Sequence, residues 1–187
     1  MESIEIFFGN YKIPLTVLHV LSVVCGMGAA LVSDFLFNFY TKDKELSKTE
    51  ISTLSTLSKV VLITLPLIML TGAGIFLSNT DKYLHSAKFL VKMTLMAILL
   101  INGFILDKYI WSHLLNKKFF TSPNEKKFRM LSFICGSTSI ITWLFICTLG
   151  VLDSVTLSYW QLFGIYSVLL LGSFPIALAL EFKEFGK

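Results

Sequence analysis

The chain has 187 residues, 55% of them hydrophobic, a formal net charge of +4 and a mean hydropathy of +0.74. Soluble domains average about 45–50% apolar residues, so this composition excludes an ordinary soluble domain. The apolar residues fall in continuous blocks rather than the alternating strands, about ten residues long, of a membrane β-barrel. No H-E-x-x-H pair, Gly-rich phosphate loop or plausible Ser-His-Asp set is present, which sets hydrolytic and nucleotide chemistry aside.

In chain order, the start Met1-Glu2-Ser3-Ile4-Glu5 is acidic. Secretory signals open with positive charge, so the first apolar block is expected to remain as a helix. "IEIFF", residues 4–8, is expected to lie along the outer interface before it. A membrane-crossing helix needs roughly 17–25 apolar residues, and five blocks meet that length: 13–40, 60–78, 86–110, 130–152 and 159–180. The predicted fold is therefore an all-α polytopic membrane bundle of five transmembrane helices, a single domain over residues 1–187. Between the first two spans, Ser47-Lys48-Thr49-Glu50 has the Ser-x-x-Glu form of a capping box. It predicts that the second helix begins near Lys48, as an extension ahead of the membrane. Cys25, Cys135 and Cys147 all fall inside spans without C-x-x-C spacing, and read as small packing residues.

Cytoplasmic loops of membrane proteins are enriched in Lys and Arg. One side of the predicted bundle carries twelve of the sixteen: Lys42, Lys44, Lys48, Lys59, Lys108, Lys117, Lys118, Lys126, Lys127, Arg129, Lys183 and Lys187. The expected topology has the N-terminus outside and the C-terminus in the cytoplasm. The net charge is then a topology signal rather than a sign of nucleic-acid binding. The basic, aromatic stretch "NKKFFTSPNEKKFR", 116–129, is expected to meet anionic lipid, at about 1 kcal/mol per charge. Basic residues are nearly all lysine, a hint of an AT-rich prokaryotic genome and hence of a bacterial plasma membrane.

Ionisable residues inside spans are costly and mark functional candidates. Here they are His19, Asp34 and Lys92. At 1.5 Å per residue, His19 and Lys92 each lie about 9 Å inside the outer end of their helices. No carboxylate shares their depth. Asp34, about 30 Å along the first span, is expected to pair with Lys108 or to cap a neighbouring helix. Helical steps from His19 give Ser22, Gly26, Ala30 and Ser33, a stripe suited either to close helix packing or to a flat ring. Lys92 reads either as a snorkelling side chain or as the partner of an anionic ligand such as a heme propionate, with Lys88 one turn above it. His19 reads as a ligand or a hydrogen-bonded core residue. His85 reads as a loop residue or a metal ligand, and His113 as a solitary surface residue. Met69 and Met96 are packing residues or sixth ligands, and Asn102 needs a hydrogen-bond partner.

"LHVLSVVCGMGAALVSDFLF", 18–37, and "LHSAKFLVKMTLMAILLINGF", 84–104, together resemble the superfamily that contains the copper-resistance D membrane proteins and the flavin-free membrane protoporphyrinogen oxidases that bind heme b. The resemblance covers residues 13–110. It implies that His19 is a heme or copper ligand and that Lys92 and Asn102 are the lysine and trailing polar residue of the third span. Gly26-Met27-Gly28 stands where the oxidases carry an aromatic residue and an arginine, and the outer loops hold His85 alone in place of a Met- or His-rich copper segment. The expectation is an uncharacterised branch of the superfamily. Three functions follow. One is heme b binding through His19, Lys88, Lys92 and Asn102, for electron transfer or tetrapyrrole oxidation. A second is transport of copper or another small cation through His19, His85 and thioethers. The third is a structural membrane subunit with no cofactor. The sequence leaves the oligomeric state open.

Overall fold

The computed structural model describes residues 2–43, 45–115, 119–153 and 155–185. Lys44, Lys117, Lys118 and Lys187, which contribute to the charge asymmetry, lie outside the described residues. The chain is an all-α bundle, with no strand among the described residues. A short helix α1 (Glu2–Asn10) leads into α2 (Lys12–Tyr40). Next come α3 (Lys48–Leu77), the single turn and a half of α4 (Thr80–Leu84), and α5 (Ala87–Ile105). A π-helical turn over Leu106–Ile110 continues α5 into α6 (Trp111–Leu114), and α7 (Lys126–Val151) and α8 (Tyr159–Phe185) complete the bundle. Among the described residues, five helices are long and apolar enough to cross a membrane: α2, α3, the α5–α6 rod, α7 with its leading turn, and α8. Their outward faces are apolar in the way lipid requires, with Ile63, Leu70, Ile101 and Val168 all more than half exposed.

The capping box forms as the sequence predicts. Ser47 accepts from the Glu50 backbone N–H at 3.3 Å, and the Glu50 carboxylate accepts from the Ser47 N–H at 2.7 Å. Two donors that a helix start leaves without partners are thereby satisfied, which fixes the beginning of α3 well before its apolar stretch. The "IEIFF" segment is α1. It folds back onto α3 where Gly74 lacks a side chain, so that Leu15 and Phe8 close over that spot.

α7 is the central helix. It packs on α2, α5 and α8, while α2 pairs along its length with α3. Its buried residues include Cys135, Ser139, Thr142, Trp143, Ile146 and Leu149, small and large side chains mixed, as close helix packing in lipid favours. The main core joins Leu65, Ile68, Val91, Leu95, Leu99, Trp143 and Tyr166. The Thr142 and Tyr166 hydroxyls bond at 2.9 Å and fix α7 on α8.

Part of the α6–α7 connection packs inward, while Lys126 and Lys127 stay exposed. Phe119 and Phe120 are buried and form a second core with Leu114, packed against Phe37, Trp111, Phe128 and Phe185. Arg129 is buried too and forms an ion pair with Glu181 of α8 at 3.3 Å. It also donates to the Phe119 and Ser122 carbonyls at 2.9 and 3.0 Å. This arginine is an internal strut, so it is not among the charges free to meet lipid. His113 is not solitary: it bonds to Glu125 at 2.8 Å and stacks on Phe128.

Candidate functional site

The sequence-predicted residues separate into two layers at opposite ends of the bundle. The first holds His19, Lys88, Lys92 and His85. The His19 Nδ1 lies 3.0 Å from the Thr71 hydroxyl and 3.1 Å from the Ile68 carbonyl of α3. One ring nitrogen is thereby hydrogen-bonded across to α3, and the residue is half-buried. Its ring edge faces Gly72, where a Cβ would come within 3.4 Å. The part of the stripe nearest it is closely packed. Ser22, Gly26, Ala29 and Ala30 are buried, and a Cβ on Gly26 would sit 2.6 Å from the Thr64 hydroxyl and 3.2 Å from the Trp143 ring. Contacts below 3 Å force a neighbour to move, so α2, α3 and α7 are already at their closest approach. At Ser22 and Gly26 the stripe is a helix-packing surface, while Ala30 and Ser33 further along line a cleft.

Lys88 reaches the end of α7. Its ammonium donates to the Leu152 and Asp153 carbonyls at the end of α7, where a cation satisfies free carbonyls and the negative end of the helix dipole. Lys92 is half-buried, with its Nζ 3.8 Å from the Cβ position of Gly150 and within Coulombic range of His19 and Lys88. His85 lies at the exposed end of α4, its Nδ1 2.9 Å from the Asp81 carbonyl. It is not gathered with His19 into a metal site, and no group of three His, Cys, Asp or Glu among the described residues is arranged to hold a metal. Met96 is part of the core beside Leu95 and Leu99, and Met69 faces outward.

The second layer is where the expectations for Asp34 and Asn102 change. Asp34 makes no ion pair with Lys108 among the described residues. Its carboxyl lies on α7, with Oδ1 3.4 Å from the Cβ position of Gly136 and the Ser139 hydroxyl as the neighbouring hydrogen-bonding side chain. A side chain at 136 would close this approach. The residue as a whole keeps some exposure, yet Oδ2 is enclosed and has no hydrogen-bond partner. Asn102 of α5 reaches the same turn of α7, its amide nitrogen donating to the Cys135 carbonyl at 3.0 Å. Asn102 belongs with Asp34, then, and not with Lys92.

Between α3 and α5 a cleft of about 90 Å³ opens onto this turn, with Ser33, Asp34, Ser58, Asn102, Asp107 and Ser139 among its lining groups. Apolar walls come from Leu62, Leu65, Leu99 and Leu106, and Trp143 lies at its base. Ser58 and Asp107 are exposed, which makes them its rim. The π-helical turn begins at Leu106, a lining residue. Such turns recur at functional sites, where the extra residue re-aims side chains. Trp143, wedged beside Gly26 and Thr64, separates the cleft from the His19 layer.

Sequence reasoning singled out Asp34 and Asn102 but could not join them, because only α7 connects the two. It missed the Arg129–Glu181 pair, for which the signal was present: Arg129 is the single arginine of the chain. The fold and the cleft define an integral membrane helix bundle with a polar, half-enclosed site in one half. No family model, curated protein or solved structure matches the chain.

Proposed function

We propose that the protein captures a proton or a small cation at Asp34, inside the membrane, as the binding step of cation translocation. The observation that carries this reading is the enclosed, unpartnered Oδ2 of Asp34 beside a polar cleft. A carboxylate withdrawn from water without a counter-charge is expensive. Asp34 has no ion pair among the described residues, so a proton or a bound cation is what makes the position tenable. The cleft supplies a route, and exposed Asp107 at its rim adds negative field that draws cations inward.

The lysine asymmetry supports an orientation with the N-terminus outside and the C-terminus in the cytoplasm, in a bacterial plasma membrane. In that orientation the Asp34 cleft opens toward the cytoplasmic side. Copper fits this site poorly, since its donors are oxygen while soft metals favour thioether, thiolate and imidazole.

Purified protein in proteoliposomes holding a trapped pH dye, with an imposed cation gradient, tests the reading. Wild-type vesicles are expected to show proton or cation flux that falls to the protein-free rate in Asp34→Asn. Equal flux in both overturns the assignment. A reduced-minus-oxidised spectrum with a Soret band that disappears in His19→Ala would instead support heme b and return His19 to a ligand role.

A further inference from the structure

The donor atoms around Asp34 narrow what the site accepts. Asn102 is oriented by its contact with Cys135. A backbone carbonyl only accepts, so the group 3.0 Å from it is the amide NH₂, and the side-chain oxygen Oδ1 is turned the other way. Asn102 is buried and lines the cleft. An amide oxygen without a hydrogen-bond partner among the described residues, in a cleft that Asp34 also lines, has no evident role for a bare proton, which needs one carboxyl and a water path. It has a clear role for a metal cation, whose dehydration must be compensated by several oxygens at once. The Ser139 hydroxyl, one helical turn from Cys135 and next to Asp34, supplies a third oxygen. Cys135, Gly136 and Ser139 all lie within about one turn of α7, which brings Asp34 from α2 and Asn102 from α5 to the same level.

We propose that this cleft is a binding site for a monovalent alkali cation of the sodium class, with the Asp34 carboxylate, Asn102 Oδ1 and Ser139 Oγ as protein donors and water completing the shell. This rests on the reading of Asp34 as the cation-capturing group. The charge sets the valence. One enclosed carboxylate balances one positive charge, whereas calcium gathers six to eight oxygens, usually several of them carboxylate, and magnesium sheds its water reluctantly. Asp107, the other acidic lining residue, is exposed at the rim and attracts ions without entering the shell. At about 90 Å³ the cleft has room for an ion and a few waters, well short of the roughly 300–1,000 Å³ of organic-ligand pockets.

The test is carbodiimide labelling of the purified full chain in detergent, with the modified peptide found by mass spectrometry. Dicyclohexylcarbodiimide reacts with protonated carboxyl groups in apolar surroundings, and a bound cation keeps Asp34 from being protonated. Labelling at Asp34 is expected in choline chloride. At the same pH and ionic strength, it should be about tenfold slower once sodium reaches ten times its Kd. Sodium protection should weaken in Ser139→Ala and in Asn102→Leu, while Asp34 remains reactive in both. Two variants from different helices guard against one of them misfolding. Labelling that responds to pH but not to sodium overturns the sodium inference and leaves Asp34 as a proton site. No labelling at Asp34 under any condition overturns both.

Discussion

Glu181 and Asp34 are both carboxylates held within the bundle, and their surroundings are opposite. Glu181 is 1% exposed and faces the Arg129 guanidinium at 3.3 Å, whose Nη1 reaches the Phe119 and Ser122 carbonyls. The Phe185 ring closes over the guanidinium at 5.2 Å. Every charge there has a partner, and the result ties the α6–α7 connection to α8. Asp34 has one hydroxyl neighbour, an enclosed oxygen with nothing to bond, and a cleft in front of it. Buried charge used for structure is paired on the spot. Buried charge left unpaired beside an opening is available to something that comes and goes.

The largest effect expected from breaking this contrast is at the paired carboxylate. Arg129→Ala leaves Glu181 charged and enclosed, and should cost about 3–5 kcal/mol, read as a lower thermal midpoint in detergent. An unchanged midpoint would mean that the pair contributes nothing to holding the helices. Gly26→Val pushes a side chain into the Thr64 and Trp143 contact between the two polar layers. It should cost about 1–3 kcal/mol by overpacking, and a neutral result would show that the wall between the layers is loose. Asn102→Leu removes the bond to the Cys135 carbonyl, worth about 0.6–1.7 kcal/mol by the range for interhelical bonds in membranes. The smallest stability effect is expected at the unpaired carboxylate. Asp34→Asn removes an enclosed charge that has no counter-charge, so it should leave stability unchanged or raised while abolishing cation capture. A loss comparable to that of Arg129→Ala would make Asp34 a structural residue after all.

The His19 layer teaches a related lesson. Two bases at matching depth without an acid suggest an anionic ligand when only spacing is visible. In three dimensions His19 is bonded across to α3, Lys88 caps α7, and only the Lys92 ammonium lacks a hydrogen bond among the described residues. Backbone carbonyls and a threonine hydroxyl already bond His19 and Lys88 there. A stripe of small residues has the same ambiguity: Ser22 and Gly26 provide space that neighbouring helices have taken, while Ala30 and Ser33 border the cleft.

The sequence by itself determined the class of fold, the five crossing segments and the early start of α3. Each follows from local rules: the apolar length that spans a bilayer, and the capping chemistry of Ser47 and Glu50. It also marked Asp34, because a charge within an apolar run stands out without any knowledge of neighbours. What it left open was every partnership between helices. Nothing in the order of residues says that Asn102 meets Cys135, that Asp34 meets Gly136 and Ser139, or that Arg129 meets Glu181. Helical periodicity defines the faces of one helix, while the pairing of faces depends on side-chain fit across helices distant in the chain. Only the tertiary structure, by setting α7 between α2, α5 and α8, decided which buried polar side chains among the described residues are satisfied and that Asp34 is not.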